Sequence, residues 1–153
     1  MSILLIRIKN KGFTLIELLL AIAIMAILVS IAQSSYRSYI DKANTSKAIA
    51  NIAYIALLIE RYKTENNALP PDLNTVNAPT DPWDTPYQYL DMSTVMGNGA
   101  KRKDKNLVPL NTDYDLYSKG ADGKSASPLT SAKSQDDIVR ANNGGFIGKA
   151  ENY

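Results

Sequence analysis

The stretch KNKGFTLIELLLAIAIMAILVSIAQ, Lys9 to Gln33, decides the fold. From Phe13 to Ile31 it carries a single charge, Glu17. At ~1.5 Å per residue these nineteen residues reach roughly 28 Å as a helix, about the thickness of a hydrocarbon core. A carboxylate within such a helix costs a few kcal/mol on insertion scales, so its presence needs a reason. Arg7, Lys9 and Lys11 all precede the apolar run. That asymmetry places the N-terminus on the cytoplasmic side of a single-pass membrane segment and the bulk of the chain outside.

Beyond the apolar run the helical pattern continues. Ala48, Ile52, Ile55, Ile59 and Tyr62 recur at steps of four and three, one stripe along a helix, with Glu60, Arg61, Lys63 and Glu65 largely off it. No proline or glycine occurs between Phe13 and Leu69. One helix of about 80 Å is therefore expected, ending near Asn66-Asn67 before Pro70-Pro71. Its first half, 13–33, is the membrane segment; its second half, 34–67, is an amphipathic stem.

After Pro70 the pattern changes to short strands between turns. Pro79, Pro82 and Pro86 with Asp81 and Asp84 mark turns. Pro86–Asp91, Asn106–Leu110 and Asp113–Ser118 read as strands, with Tyr87/Tyr89 and Tyr114/Leu116 at period two. Asn98-Gly99 and the run KRKDK at 101–105 read as a hairpin connection. From Gly120 to Gly148 no clear period shows, and a loop that long needs something to hold it. The fold class is α+β: a long N-terminal helix packed on a small antiparallel sheet spanning 68–153.

Composition narrows the function. The 153 residues contain neither cysteine nor histidine, which removes disulfides, thiol catalysis, the usual zinc ligands and histidine acid–base chemistry. No nucleophile–base pair converges, so an enzyme is not expected. Setting aside the three basic residues before Gly12, the other 14 Lys and Arg nearly balance 15 Asp and Glu. No basic field argues for nucleic acid, and none is expected as a partner. KRKDK is read as a solvated turn rather than a nucleic-acid contact. Trp83, Tyr87 and Tyr89 are read as packing between sheet and stem rather than a sugar site.

A secretory signal places its cleavage site after the apolar region; here a basic leader and Gly12-Phe13 come first. KGFTLIELLLAIAIMAIL, Lys11 to Leu28, resembles the class III signal of type IV pilins and pseudopilins. The resemblance implies cleavage of a leader, residues 1–12, between Gly12 and Phe13 by a prepilin peptidase, and N-methylation of Phe13. It also implies that Glu17 of one subunit attracts the Phe13 α-amine of an incoming one, setting the register of a helical filament. Pairing of Glu17 with its own terminus, or snorkelling to the interface, stays open. The family usually has a proline where this chain reads Ala32-Gln33-Ser34-Ser35-Tyr36, so an unbroken helix is expected here.

Three further blocks, DPWDTPYQY at 81–89, SKGADG at 118–123 and Asp136-Asp137-Ile138, resemble the major pseudopilin of type II secretion systems. That resemblance implies a homo-oligomeric periplasmic filament. The implied partners are minor pseudopilins and an inner-membrane assembly platform, with membrane lipid around the subunit before assembly. It also implies calcium in the C-terminal loop. Carried over, Asp122 and Asp137 match the ligands best, Asp136 is included, and Lys119 and Ser125 would contribute backbone carbonyls. Calcium takes six to eight hard oxygens, which such a loop can supply. The segment Lys124–Gln135 departs from the family's shorter, glycine-rich loop. Two alternatives stay open: a type IV pilin of a surface pilus, and a membrane-tethered calcium-binding module that does not polymerise.

Overall fold

A computed structural model describes residues 12–153; the leader expected over 1–12 lies outside the described residues apart from Gly12. The chain divides into two compact units, 1–40 and 41–153. Helix α1, Leu15–Asn66, is continuous in secondary structure, including the Ser34-Ser35 pair where the family has its proline. It is long and apolar enough to cross a membrane. Within the first unit Leu15, Ile16, Leu19, Ile22 and Ile27 are exposed, as side chains are when lipid or neighbouring subunits are to cover them.

In the second unit the stem portion of α1 has the expected face. Ala48, Ile52, Ile55 and Ile59 are fully buried and Leu58 nearly so, while Tyr62 is half-buried. Each buried isoleucine contributes about 1.5–3 kcal/mol relative to exposure. The stripe packs on one face of a four-stranded antiparallel sheet formed by β1 (Gln88–Asp91), β2 (Tyr114–Ser118), β3 (Ile138–Ala141) and β4 (Phe146–Lys149), in that spatial order. Tyr87, Tyr114, Leu116 and Ile138 close this core with the helix, and Trp83 and Tyr89 pack at its edge. The aromatic cluster is therefore packing, as read from the sequence.

The sheet is covered on its second face too. Val139, Ala141, Leu110, Leu129 and Ala150 form another apolar cluster, with Tyr117 and Phe146 against it. Strand β2 lies between the two clusters. Tyr114, Leu116 and Ser118 are buried on the helix side and Asp115 on the loop side.

Three expectations change. Asn106–Leu110 is not a strand: Pro109 has no N–H to donate, and Leu110 N–H bonds instead to the Arg102 carbonyl at 2.7 Å. Residues 98–105 form no tight hairpin turn to a strand at 106–110; they lie within the long connection, 92–113, between the antiparallel neighbours β1 and β2. The stretch Gly120–Gly148 is not one long loop, because β3 lies inside it and β4 begins before its end.

Candidate functional site

Two places carry the sequence-predicted residues, one in each unit. At the N-terminal junction, Thr14 stands just before the first helical residue and its carbonyl accepts the Leu18 N–H at 3.2 Å. Glu17 Oε2 accepts from the Thr14 N–H at 2.9 Å and from the Thr14 hydroxyl at 2.8 Å. Thr14 Oγ1 in turn accepts the Glu17 N–H at 3.3 Å. This is a reciprocal capping box, Thr14-x-x-Glu17, which satisfies N–H groups that a helix start leaves without partners. The spacing was there to be read in TLIE, beside the filament reading of Glu17. Gly12 and Phe13 are exposed, and a Cβ built on Gly12 meets nothing within 4 Å among the described residues.

The C-terminal blocks are joined by hydrogen bonds. Asp81, nearly fully buried, accepts from the Trp83 and Thr85 N–H groups at 3.0 and 2.8 Å and from the Thr85 hydroxyl at 2.6 Å. Ser118 Oγ donates to Asp81 Oδ2 at 2.5 Å while accepting the Gly120 N–H at 3.1 Å. One serine thus links the DPW turn to the GADG turn. Gly120, at φ +67°, has no room for a side chain: a Cβ there would lie 2.5 Å from the Asp136 carbonyl oxygen.

Of the five residues expected to bind calcium, the structure brings Asp122 against Asp136 and Ser125 against Asp137. Asp122 is exposed, its N–H donates to Asp136 Oδ2 at 3.1 Å, and its own Oδ1 accepts the Lys124 N–H at 2.7 Å. Lys119 is half-buried. Asp137, next in sequence to Asp136, is fully buried against other partners. Its Oδ2 accepts from Ser125 Oγ at 2.6 Å and from Arg102 Nη2 at 2.6 Å. Burial pushes the Asp137 carboxyl up against the opposing pull of Ser125 and Arg102. Among the described residues no group of three or more His, Cys, Asp or Glu is placed to hold a metal ion.

Arg102 belongs to KRKDK, and it is not in a solvated turn: it is 3% exposed. Its guanidinium lies over the Tyr117 ring, 4.2 Å from the centroid. Its backbone N–H donates to Asp115 Oδ2 at 2.7 Å, and Asn111 Nδ2 donates to Asp115 Oδ1 at 2.9 Å. No helix or strand spacing rule connects Arg102 with a partner 35 residues away, so nothing local in the sequence signalled it.

A second buried arginine was also missed. Arg140 on β3 holds Asp113 by two bonds, 2.9 and 2.6 Å, with its guanidinium 4.0 Å from the Tyr114 ring centroid. Burial alone would raise the Asp113 carboxyl, but the Arg140 bonds and the Tyr114 N–H outweigh it and hold it below its usual value. A depressed folded pKa contributes stability that is complete above the unfolded value near 4 and lost as pH falls through the folded one. The Tm gap between wild type and Asp113→Asn should therefore be steady down to about pH 5 and close below about pH 4. A gap unchanged at about pH 3 would show that the charge of Asp113 contributes nothing.

A family model described as the prokaryotic N-terminal methylation motif matches residues 7–33. The type II secretion system core protein G of Pseudomonas aeruginosa is 30% identical over 141 residues, covering 77% of this chain and 88% of that protein. The core protein G of Vibrio cholerae is 25% identical over 81% of this chain and 89% of its own length. Fimbrial protein Q of Moraxella bovis is 49% identical, but over 44 residues, 29% of this chain. No solved structure matches.

Proposed function

Because this chain belongs to the type II secretion system core protein G family, we propose that it is the major pseudopilin, cleaved between Gly12 and Phe13 and polymerised into a periplasmic filament that drives protein export. The observation that carries this reading is the extent of similarity. Core protein G relatives align over some three quarters of the chain, taking in the C-terminal domain, whereas the fimbrial relative aligns over 44 residues. The alternative of a surface pilus therefore rests on a much shorter likeness.

The geometry supports a subunit that assembles. The apolar part of α1, together with the methylation motif, fits a single-pass anchor in the inner membrane. Its exposed apolar side chains would exchange lipid for neighbouring subunits on assembly. Removal of residues 1–12 by a prepilin peptidase would leave a Phe13 α-amine beside the Glu17 carboxylate. In low dielectric an unpaired amine and an unpaired carboxylate are each costly, and pairing between subunits offsets both. Minor pseudopilins and the assembly platform are the further partners this role requires, and the role itself is structural rather than enzymatic.

Deleting the gene in its own host separates the readings. Exported proteins should accumulate in the periplasm, and a plasmid copy should restore export. Normal export with loss of a surface pilus would favour the pilin reading.

A further inference from the structure

We infer that the C-terminal loop is closed by an internal cation, the Arg102 guanidinium, so that the folded chain needs no divalent ion to order residues 119–137. Three segments meet at this side chain. Nη1 donates to Ser125 Oγ at 2.5 Å and to the Ala126 carbonyl at 2.7 Å, and Nη2 donates to Asp137 Oδ2 at 2.6 Å. Tyr117 supports the guanidinium plane from β2.

The backbone on either side reinforces the closure. Lys103 N–H donates to the Ser127 carbonyl at 3.1 Å, and Leu129 N–H donates to the Lys103 carbonyl at 2.9 Å. Ser134 Oγ, fully buried, bonds both the Ala126 N–H and the Ala126 carbonyl. These bonds give the polar loop an internal tie.

The same contacts leave poor ground for calcium. The ion takes six to eight oxygens. Here Asp137 Oδ2, on one of the two carboxylates expected to bind it best, is committed to Ser125 and Arg102. Asp137 Oδ1 is left without a hydrogen-bond partner, but a divalent ion there would face the buried positive charge of Arg102. Asp136 Oδ2 accepts the Asp122 N–H, and Asp122 Oδ1 accepts the Lys124 N–H.

Thermal unfolding of the full-length chain in detergent micelles, followed by Trp83 fluorescence, tests this. Wild-type curves in excess chelator and in millimolar calcium should coincide. Arg102→Met leaves Asp137 buried without its cation and should lower Tm on the order of 10 °C in both conditions. If Arg102→Met does not fold, Asp137→Asn, which keeps the shape and can still accept from Arg102, should show a smaller loss and the same indifference to calcium. A wild-type Tm that rises several degrees with calcium and falls with chelator would overturn the inference. So would an Arg102→Met chain that melts like wild type.

Discussion

Glu17→Gln should insert and lose its leader as wild type does, yet build no filaments. The substitution separates two roles that Glu17→Ala would remove together. In the free subunit the carboxylate closes a capping box through two bonds from Thr14, and a glutamine carbonyl can accept the same two. Removing the cap altogether costs about 0.5–2 kcal/mol, and keeping it with glutamine avoids most of that. Loss of the charge also relieves the roughly 2–3 kcal/mol of placing a carboxylate in the bilayer, so anchoring is not weakened. What glutamine cannot do is attract the α-amine of an incoming Phe13. Filament yield, counted in sheared fractions by electron microscopy, should fall to background for Glu17→Gln and Glu17→Ala alike. Wild-type yield from Glu17→Gln together with failure of Glu17→Ala would assign Glu17 to helix capping and remove the pairing account.

Gly12→Val should leave residues 1–12 attached, an all-or-none loss on a gel. A Cβ built on Gly12 meets nothing within 4 Å among the described residues, so none of them gives the substitution a steric reason to disturb the subunit. Any block must arise in the peptidase site, where the residue before the scissile bond has to be very small. Gly12→Ala, with one added methyl group, should be partly processed at worst. Complete processing of Gly12→Val by a co-expressed prepilin peptidase would refute cleavage at this bond.

The parts of the fold that were legible are those with a single buried face. Ala48, Ile52, Ile55 and Ile59 turn one stripe to the sheet at steps of four and three, with no proline or glycine to interrupt it. Strands β1 and β2 were visible through Tyr89 and through Tyr114/Leu116, aromatic and aliphatic residues facing the stem. Strands β3 and β4 were hidden for a physical reason. Both faces of β3 are covered, so Ile138-Val139-Arg140-Ala141 has no apolar–polar alternation, and its arginine is buried by pairing with Asp113. Gly148 lies inside β4, where glycine reads as a breaker; a Cβ there would come within 2.8 Å of the Phe146 ring.

The site was legible where it depended on local sequence and obscure where it depended on tertiary contact. Gly12, Phe13 and Glu17 lie within one short motif, and the methylation-motif match covers them. The loop carboxylates were visible as residues, but their division was not. Asp136 and Asp137 are neighbours in sequence and serve different partners, Asp136 the Asp122 turn and Asp137 Arg102 with Ser125. Only the folded sheet brings a basic residue of the KRKDK run against Asp137.

The central claim is that this chain is the filament's subunit, and the most direct test is to isolate the filament. Cells of the natural host overproducing the chain with its secretion machinery are sheared, the filaments are imaged, and their protein is weighed by mass spectrometry. The account predicts filaments whose main component is this chain, starting at an N-methylated Phe13 and lacking residues 1–12. A chain that stays in the membrane fraction with those residues attached, while filaments are absent or made of another protein, would contradict it.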